Sequence, residues 1–451
     1  MIKRKIKFLF IIICFFSNNA FANISLIRDS EIEDFVSQIV NPLLKVADLD
    51  PDNVSIHIVD DNSINAFVAG GQNIFINTGL ITKFDNPDAL IGVIAHEIGH
   101  IKAGHLARFN EGIDSAKKAL MLSYLLGVGA IASGSYDGGS AMIMGGSHIA
   151  NRINQKYTRN QEEVADQYAL KFLDKISYSA KGLIELLQSL AQEFKPYSKI
   201  IDEYSLSHPI SQKRIDLIKE RTRGKNNNNK ELSQYLQARM NVVTAKIKGF
   251  TGKAEILLDN YGNNKTKIAQ YILAIAYHRH GDSKKSLAII DNIIQDNKSS
   301  SSLFILGFLY ELKAQILTES GDLNQGLIFY KKAINLLPKK SSSLIKMAFV
   351  NNILAANIKD IKLLKLSLDY LLEAKKYEKL NPDLYLKLAK IYNKMMQEGD
   401  SYLALSHYKM LIEEKDDAKK YAKKAKEIYS KNNNKNGLIK VEDFLKIIEE
   451  N

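Results

Sequence analysis

Residues Ile91 to His100 read IGVIAHEIGH, and five of them, His96, Glu97, Ile98, Gly99 and His100, constrain this chain more than any other stretch. Two histidines four residues apart are separated by about 40° around a helix of about 3.6 residues per turn, so both rings leave one face and can grip one metal ion. Glu97 lies one step round from the first of them. A carboxylate there can take a proton from water that the ion has made acidic and return it to a leaving group. Hydrolytic zinc takes three protein ligands and keeps one position open, so the pattern also calls for a ligand from elsewhere.

His105 is the histidine nearest to the motif, nine residues after His96 and half a turn out of phase. It is expected to point away from the metal if the helix continues, which leaves a glutamate on a later helix as third ligand. The best supplier is Arg159-Asn160-Gln161-Glu162-Glu163-Val164-Ala165-Asp166. Glu162 and Asp166 are four apart and share a face, so Glu162 can bind the ion while Asp166 receives the spare N–H of a ligating histidine. Glu163 is turned by about 100° and is expected to be solvated.

Upstream, Ile27, Ile32, Phe35, Val36, Ile39 and Leu43 recur at helical spacing, with Pro42 as a kink point. Val54 to Val59 alternates, and Asn65 to Val68 and Asn73 to Asn77 flank Ala69-Gly70-Gly71-Gln72. Two or three antiparallel strands with a glycine turn are predicted. Asn86-Pro87-Asp88 reads as the N-terminal cap of the motif helix. A peptide substrate can add to a free strand edge before such a helix, with Asn65-Ala66-Phe67 and Asn73 to Asn77 as candidates.

At 451 residues the chain should hold two or three domains. It opens with Lys3, Arg4, Lys5 and Lys7, an apolar run from Phe8 to Phe16, and Ala20-Phe21-Ala22, an order that reads as a secretory signal cleaved after Ala22. The only cysteine, Cys14, lies inside it, so disulfides and cysteine catalysis drop out. A periplasmic protein is expected. Ala119 to Ser133, resuming at Ala141 to Met144, is apolar and rich in small residues but shorter than the ~20 residues of a membrane span. A flap beside the cleft is the preferred reading of residues 119–146; a buried hairpin and peripheral contact with a membrane stay open.

Charge splits the chain. Residues 23–223 carry 20 Lys+Arg against 25 Asp+Glu, and residues 224–451 carry 38 against 25. Compositional drift accounts for the basic half, because Lys, Asn and Ile abound throughout. Anionic headgroups or an acidic partner are the other readings, and no nucleic-acid partner is expected. The polar run Gly224 to Lys230 separates the halves, and the text beyond it is helical. Gly281-Asp282, Gly321-Asp322 and Gly399-Asp400 fall at intervals of 40 and 78, with Lys359-Asp360 at the midpoint of the longer gap. That is an internal repeat of about 39 residues, in roughly four degenerate units resembling tetratricopeptide repeats of about 34. Stacked repeats form a curved groove for extended peptides or partner surfaces. Tyr271, Tyr277, Tyr310, Tyr330, Tyr385, Tyr392 and Tyr408 line that groove or, for most of them, pack helix on helix.

HEIGH with Gly104-His105 after it, Asn65-Ala66-Phe67, Asn77-Thr78-Gly79-Leu80, Arg159-x-x-Glu162-x-x-Ala165-Asp166 and His208-Pro209-x-x-x-x-Arg214-Ile215 together resemble the HtpX and CAAX-prenyl-protease family of zinc peptidases. The likeness covers about residues 28–222, and its repeat-bearing, periplasmic branch fits best; unlike HtpX itself, this chain lacks full-length membrane helices. The resemblance implies one Zn2+ per chain held by His96, His100 and Glu162, with Glu97 as general acid and base. It draws in His208, which could approach the open coordination position and close the resting enzyme, and Arg214, which could bind a carboxylate or the developing oxyanion. The fold implied is α+β but mostly α: residues 1–22 as signal, a zincin-type domain with a small antiparallel sheet over 23–223, a linker at 224–231, and an all-α repeat solenoid over 232–451. The activity implied is that of an exported endopeptidase cleaving misfolded or stalled proteins in outer-membrane protein quality control, its repeats recruiting substrate or assembly machinery. The alternative is a chaperone or scaffold with a largely closed zinc site.

Overall fold

The computed structural model describes residues 25–69, 71–84, 86–105, 159–193, 208, 210–224, 230–297 and 303–450. The expected signal at 1–22, the apolar 119–146 segment and most of the 224–231 linker lie outside them. The described residues are mostly helical with one small sheet, the α+β class expected. No helix among them is long and apolar enough to cross a membrane.

The chain enters through β1 (Leu26–Ile27) and α1 (Ser30–Val46). Asp29 caps α1 by accepting from the N–H groups of Glu31 and Ile32. The apolar face read from the sequence is buried: Ile32, Phe35, Val36, Ile39, Val40, Leu43 and Leu44 all enter the core. Strands β2 (Ser55–Val59), β3 (Ala66–Ala69) and β4 (Asn73–Asn77) follow. The β3–β4 turn contains Gly71 at φ +97°, where a side chain would be strained.

The sheet runs β1-β2-β4-β3 and is mixed, which corrects the expectation of an antiparallel one. β1 pairs antiparallel with β2 and β3 with β4, but β2 and β4 run parallel, Ser55 to Val59 against Asn73 to Asn77. β3 crosses to the outside instead of lying between its sequence neighbours. Alternation of side chains fixes which face of a strand is buried and carries no information on its direction.

After the short α2 (Thr78–Thr82), α3 (Pro87–Lys102) carries the motif, capped by Asn86 with Pro87 at its first position. It is buried from Ala89 to Gly99, so it is a core helix and no surface helix with stray histidines. Two glycines let other helices reach its backbone. A Cβ on Gly92 would stand 2.6 Å from Leu183 in α5 (Lys181–Glu193). One on Gly99 would stand 2.6 Å from the carbonyl of Ala165 in α4, residues 159–175. Gly99 therefore sets the spacing at which the carboxylates of α4 meet the histidines of α3.

Helix α6 (Gln212–Thr222) closes this part, and α7 (Lys230–Thr251) opens the next. The linker expected at 224–231 runs into α7, whose first residues are Lys230 and Glu231, and Leu236, Met240, Val243 and Ile247 of α7 belong to the same core as α1 and α3. Beyond α7 come α8 (Ala254–Tyr261), α9 (Lys267–Arg279), α10 (Ser283–Asn297), α11 (Leu303–Glu319), α12 (Leu323–Leu336), α13 (Ser343–Ala355), α14 (Ile361–Ala374), α15 (Pro382–Lys394), α16 (Glu398–Leu411), α17 (Lys415–Lys431) and α18 (Lys435–Glu450).

From α9 onward the described helices form five consecutive hairpins. A residue in the left-handed region marks each tight turn: Gly281, Gly321, Asn357, Met396 and Asn433. Their intervals are 40, 36, 39 and 37, close to the repeat read from the sequence. At Asp282, Asp322 and Asp360 the acidic side chain caps the second helix of its hairpin. Gly399-Asp400 is no such turn. It lies inside α16, where Gly399 makes room for the Tyr429 ring, and Met396 takes the turn position. Tyr271, Tyr330 and Tyr385 are buried between helices, as expected for most of the tyrosines.

Candidate metal centre

The side chains of His96 and His100 leave one face of α3, with their Nε2 atoms 3.1 Å apart. Glu162 on α4 meets both, Oε2 at 3.2 Å from His96 Nε2 and Oε1 at 3.3 Å from His100 Nε2. His208 adds Nδ1 at 3.4 Å from His96 Nε2 and 3.3 Å from each Glu162 oxygen. The four ligand atoms lie within 4.8 Å of one another. Ligands held about 2.0–2.1 Å from a tetrahedral zinc stand about 3.3 Å from each other. The separations of 3.1–3.3 Å among His96, His100 and Glu162 match that cage, so this donor set fits such an ion.

Glu97 lies behind the cage. Both of its carboxylate oxygens are buried with no hydrogen-bond partner among the described residues, and the nearest charge contact is His208 Nε2 at 3.5 Å. Burial holds its pKa above the ordinary carboxylate value, as suits a proton carrier near neutral pH. A carboxylate left this bare is costly unless it meets water or a reacting group.

The sequence placed Asp166 beside a ligand, and it lies 2.9 Å from His96 Nδ1. Burial would lower the His96 pKa, but bonds to Asp166 and Glu162 outweigh it and raise that pKa to about 10 in the protein's own field. His100 goes the other way. Burial takes it down to about 4, so its ring is a neutral donor at physiological pH.

Arg214, in the first turn of α6, is only 3% exposed. Its Nε and Nη2 each donate to Asp166 at 2.9 Å, and Nη1 lies 2.9 Å from Glu162. This geometry pairs Arg214 with two carboxylates, the first of its two expected roles. The bidentate fork keeps Asp166 ionised and aimed at His96. Its pKa sits below the ordinary value, because those partners outweigh the opposing effect of burial. Glu163 points outward to Lys213, as its phase on α4 requires.

His105 departs from expectation. It does not point away: its Nδ1 lies 2.9 Å from His100 Nδ1. Helical phase holds only while the helix continues, and α3 stops at Lys102, before Gly104 in the left-handed region. Of the two candidate strands for a substrate edge, β4 is paired on both sides by β2 and β3, so only β3 has an open edge among the described residues. β3 also packs against α3.

Residues 30–222 match the model of Peptidase family M48. This part of the chain resembles an M48 peptidase domain and takes that name. The chain is 28% identical over 204 residues to the putative beta-barrel assembly-enhancing protease of Vibrio cholerae, covering 45% of this chain and 41% of that protein. It is 26% identical over 225 residues to the beta-barrel assembly-enhancing protease of Yersinia pestis, covering 49% and 46%. The metalloprotease YcaL of Escherichia coli is 27% identical over 172 residues, covering 38% of this chain and 62% of YcaL. The match thus spans less than half the length of the two assembly-enhancing relatives. All the metal-facing side chains described above lie inside the M48 domain.

Proposed function

We propose that the chain is an exported, zinc-dependent endopeptidase acting on misfolded or stalled proteins. The observation that carries the reading is the convergence of His96, His100, Glu162 and His208 beside the buried carboxylate of Glu97, which accepts no hydrogen bond among the described residues. Zinc at that point would polarise the scissile carbonyl and acidify water. Glu97 takes the proton and delivers it to the leaving amine. Asp166 orients His96, Arg214 holds Asp166 and Glu162 in register, and the open edge of β3 aligns an extended peptide without selecting its sequence.

The N-terminal charged and apolar run supports a periplasmic location. Relatives named for enhancing β-barrel assembly support outer-membrane proteins as substrates. The regular hairpins, read as tetratricopeptide-like repeats, would recruit substrate or assembly machinery. The test is Glu97→Gln. The variant should bind one zinc per chain and capture an unfolded barrel protein uncut, whereas full cleavage by it would sink the mechanism.

One observation favours a second reading, a chaperone or scaffold whose site is largely shut. His208 Nδ1 stands at the fourth corner of the cage, where substrate or water would enter. On this reading Glu97→Gln would rescue a deletion strain in full.

A further inference from the structure

Helix α3 ends at Lys102, two residues after His100. Gly104 takes φ +67°, a conformation that glycine adopts without strain, and the chain turns back on itself. His105 therefore returns against His100, the two rings 5.0 Å apart between centroids and inclined by 72°. The Nδ1 atoms face each other at 2.9 Å. Gln161 Nε2 donates to the carbonyl of His105 at 3.4 Å, which fastens the returning residue to the helix that carries Glu162.

We infer that His105 is the positioning residue of His100, receiving its Nδ1–H so that the Nε2 lone pair is held toward the ion. The inference rests on the metal reading above. An imidazole that ligates through Nε2 carries its proton on Nδ1, and a partner there fixes both the tautomer and the rotation of the ring. His96 has such a partner in Asp166, which is anionic. His100 has a histidine in that place. Glu97, Glu162 and Asp166 already bring three carboxylates to the site, which Arg214 and a divalent ion balance in charge. A fourth carboxylate at position 105 would leave the cluster one charge in excess in a buried place. A histidine orients the ligand without that cost.

The test separates the acceptor from its bulk. In asparagine Oδ1 follows Cβ and Cγ as Nδ1 does in histidine, so His105→Asn keeps an acceptor in nearly the same place. His105→Leu keeps volume and loses the acceptor. Zinc affinity, measured by competition with a chelator, should fall about 10- to 100-fold in His105→Leu and change much less in His105→Asn. The visible spectrum of the cobalt(II)-substituted protein should shift in the leucine variant alone. Parent-like zinc affinity in His105→Leu would overturn the inference, as would an equal loss in both variants. Zinc stoichiometry of the unaltered chain is read in the same titrations and tests the metal reading by itself.

Discussion

Among the described residues, the carboxylates gathered around Lys246 and those at the candidate metal centre are neutralised in opposite ways. At the seam between the M48 domain and the helical hairpins, Lys246 of α7 is fully buried, with Nζ 2.8 Å from Asp29, 3.5 Å from Glu31 and 3.1 Å from Glu311. Tyr271 donates to Glu31 at 3.0 Å. That cluster contains its own central cation, and the surrounding acids hold the lysine's pKa well above its ordinary value against the opposing effect of burial. At the candidate metal centre ligand atoms of His96, His100, Glu162 and His208 gather around one point, and the guanidinium of Arg214 is off to the side. A cluster complete in itself fastens two parts together. A cluster whose donors converge without a side-chain cation at the focus binds a cation from outside.

The comparison breaks most visibly if Lys246 is removed. Lys246→Met leaves Asp29, Glu31 and Glu311 uncompensated in a buried place, and should cost about 3–5 kcal/mol in urea unfolding. Parent-like stability would mean that the seam is not held by charge. Further pairs along the same seam, Arg239 with Asp34 and Arg28 with Glu378, should slow but not prevent separation of the two parts. A smaller effect is expected at the metal centre from His208→Ala. Opening the fourth corner should raise basal cleavage of an unfolded protein several-fold, with zinc still bound by His96, His100 and Glu162 but less tightly than in the parent. A fall in cleavage would show that His208 serves the reaction and does not hold it shut.

Much of the metal centre was legible because its geometry is local. His96, Glu97 and His100 follow from helical phase alone, and Glu162 with Asp166 from the same rule on a second helix. What escaped depends on where elements stop and how they cross. Gly104 ends α3 and brings His105 back, while helical phase is defined only inside a helix. Gly99 looked like a spacer letter and is the contact that lets α4 approach. The parallel pairing of β2 with β4 joins strands that are not neighbours in sequence, and the seam joins Glu31 to Tyr271 across 240 residues. Asp282 and Asp322 were found as repeat signals because a cap and a left-handed turn are written in adjacent letters. In later hairpins Asn357, Met396 and Asn433 take the left-handed position, so the glycine that betrays it is gone.

The most direct test of the account is chelation of zinc from the zinc-loaded full chain. The M48 core is a continuous apolar cluster running from α1 through α3 and α5 into α7, with no need of an ion to hold it. Chelation should therefore abolish cleavage of an unfolded protein while the helical circular dichroism at 25 °C stays unchanged, and one equivalent of zinc should restore activity. Undiminished cleavage after complete zinc removal, or unfolding of the M48 domain on chelation, would contradict it.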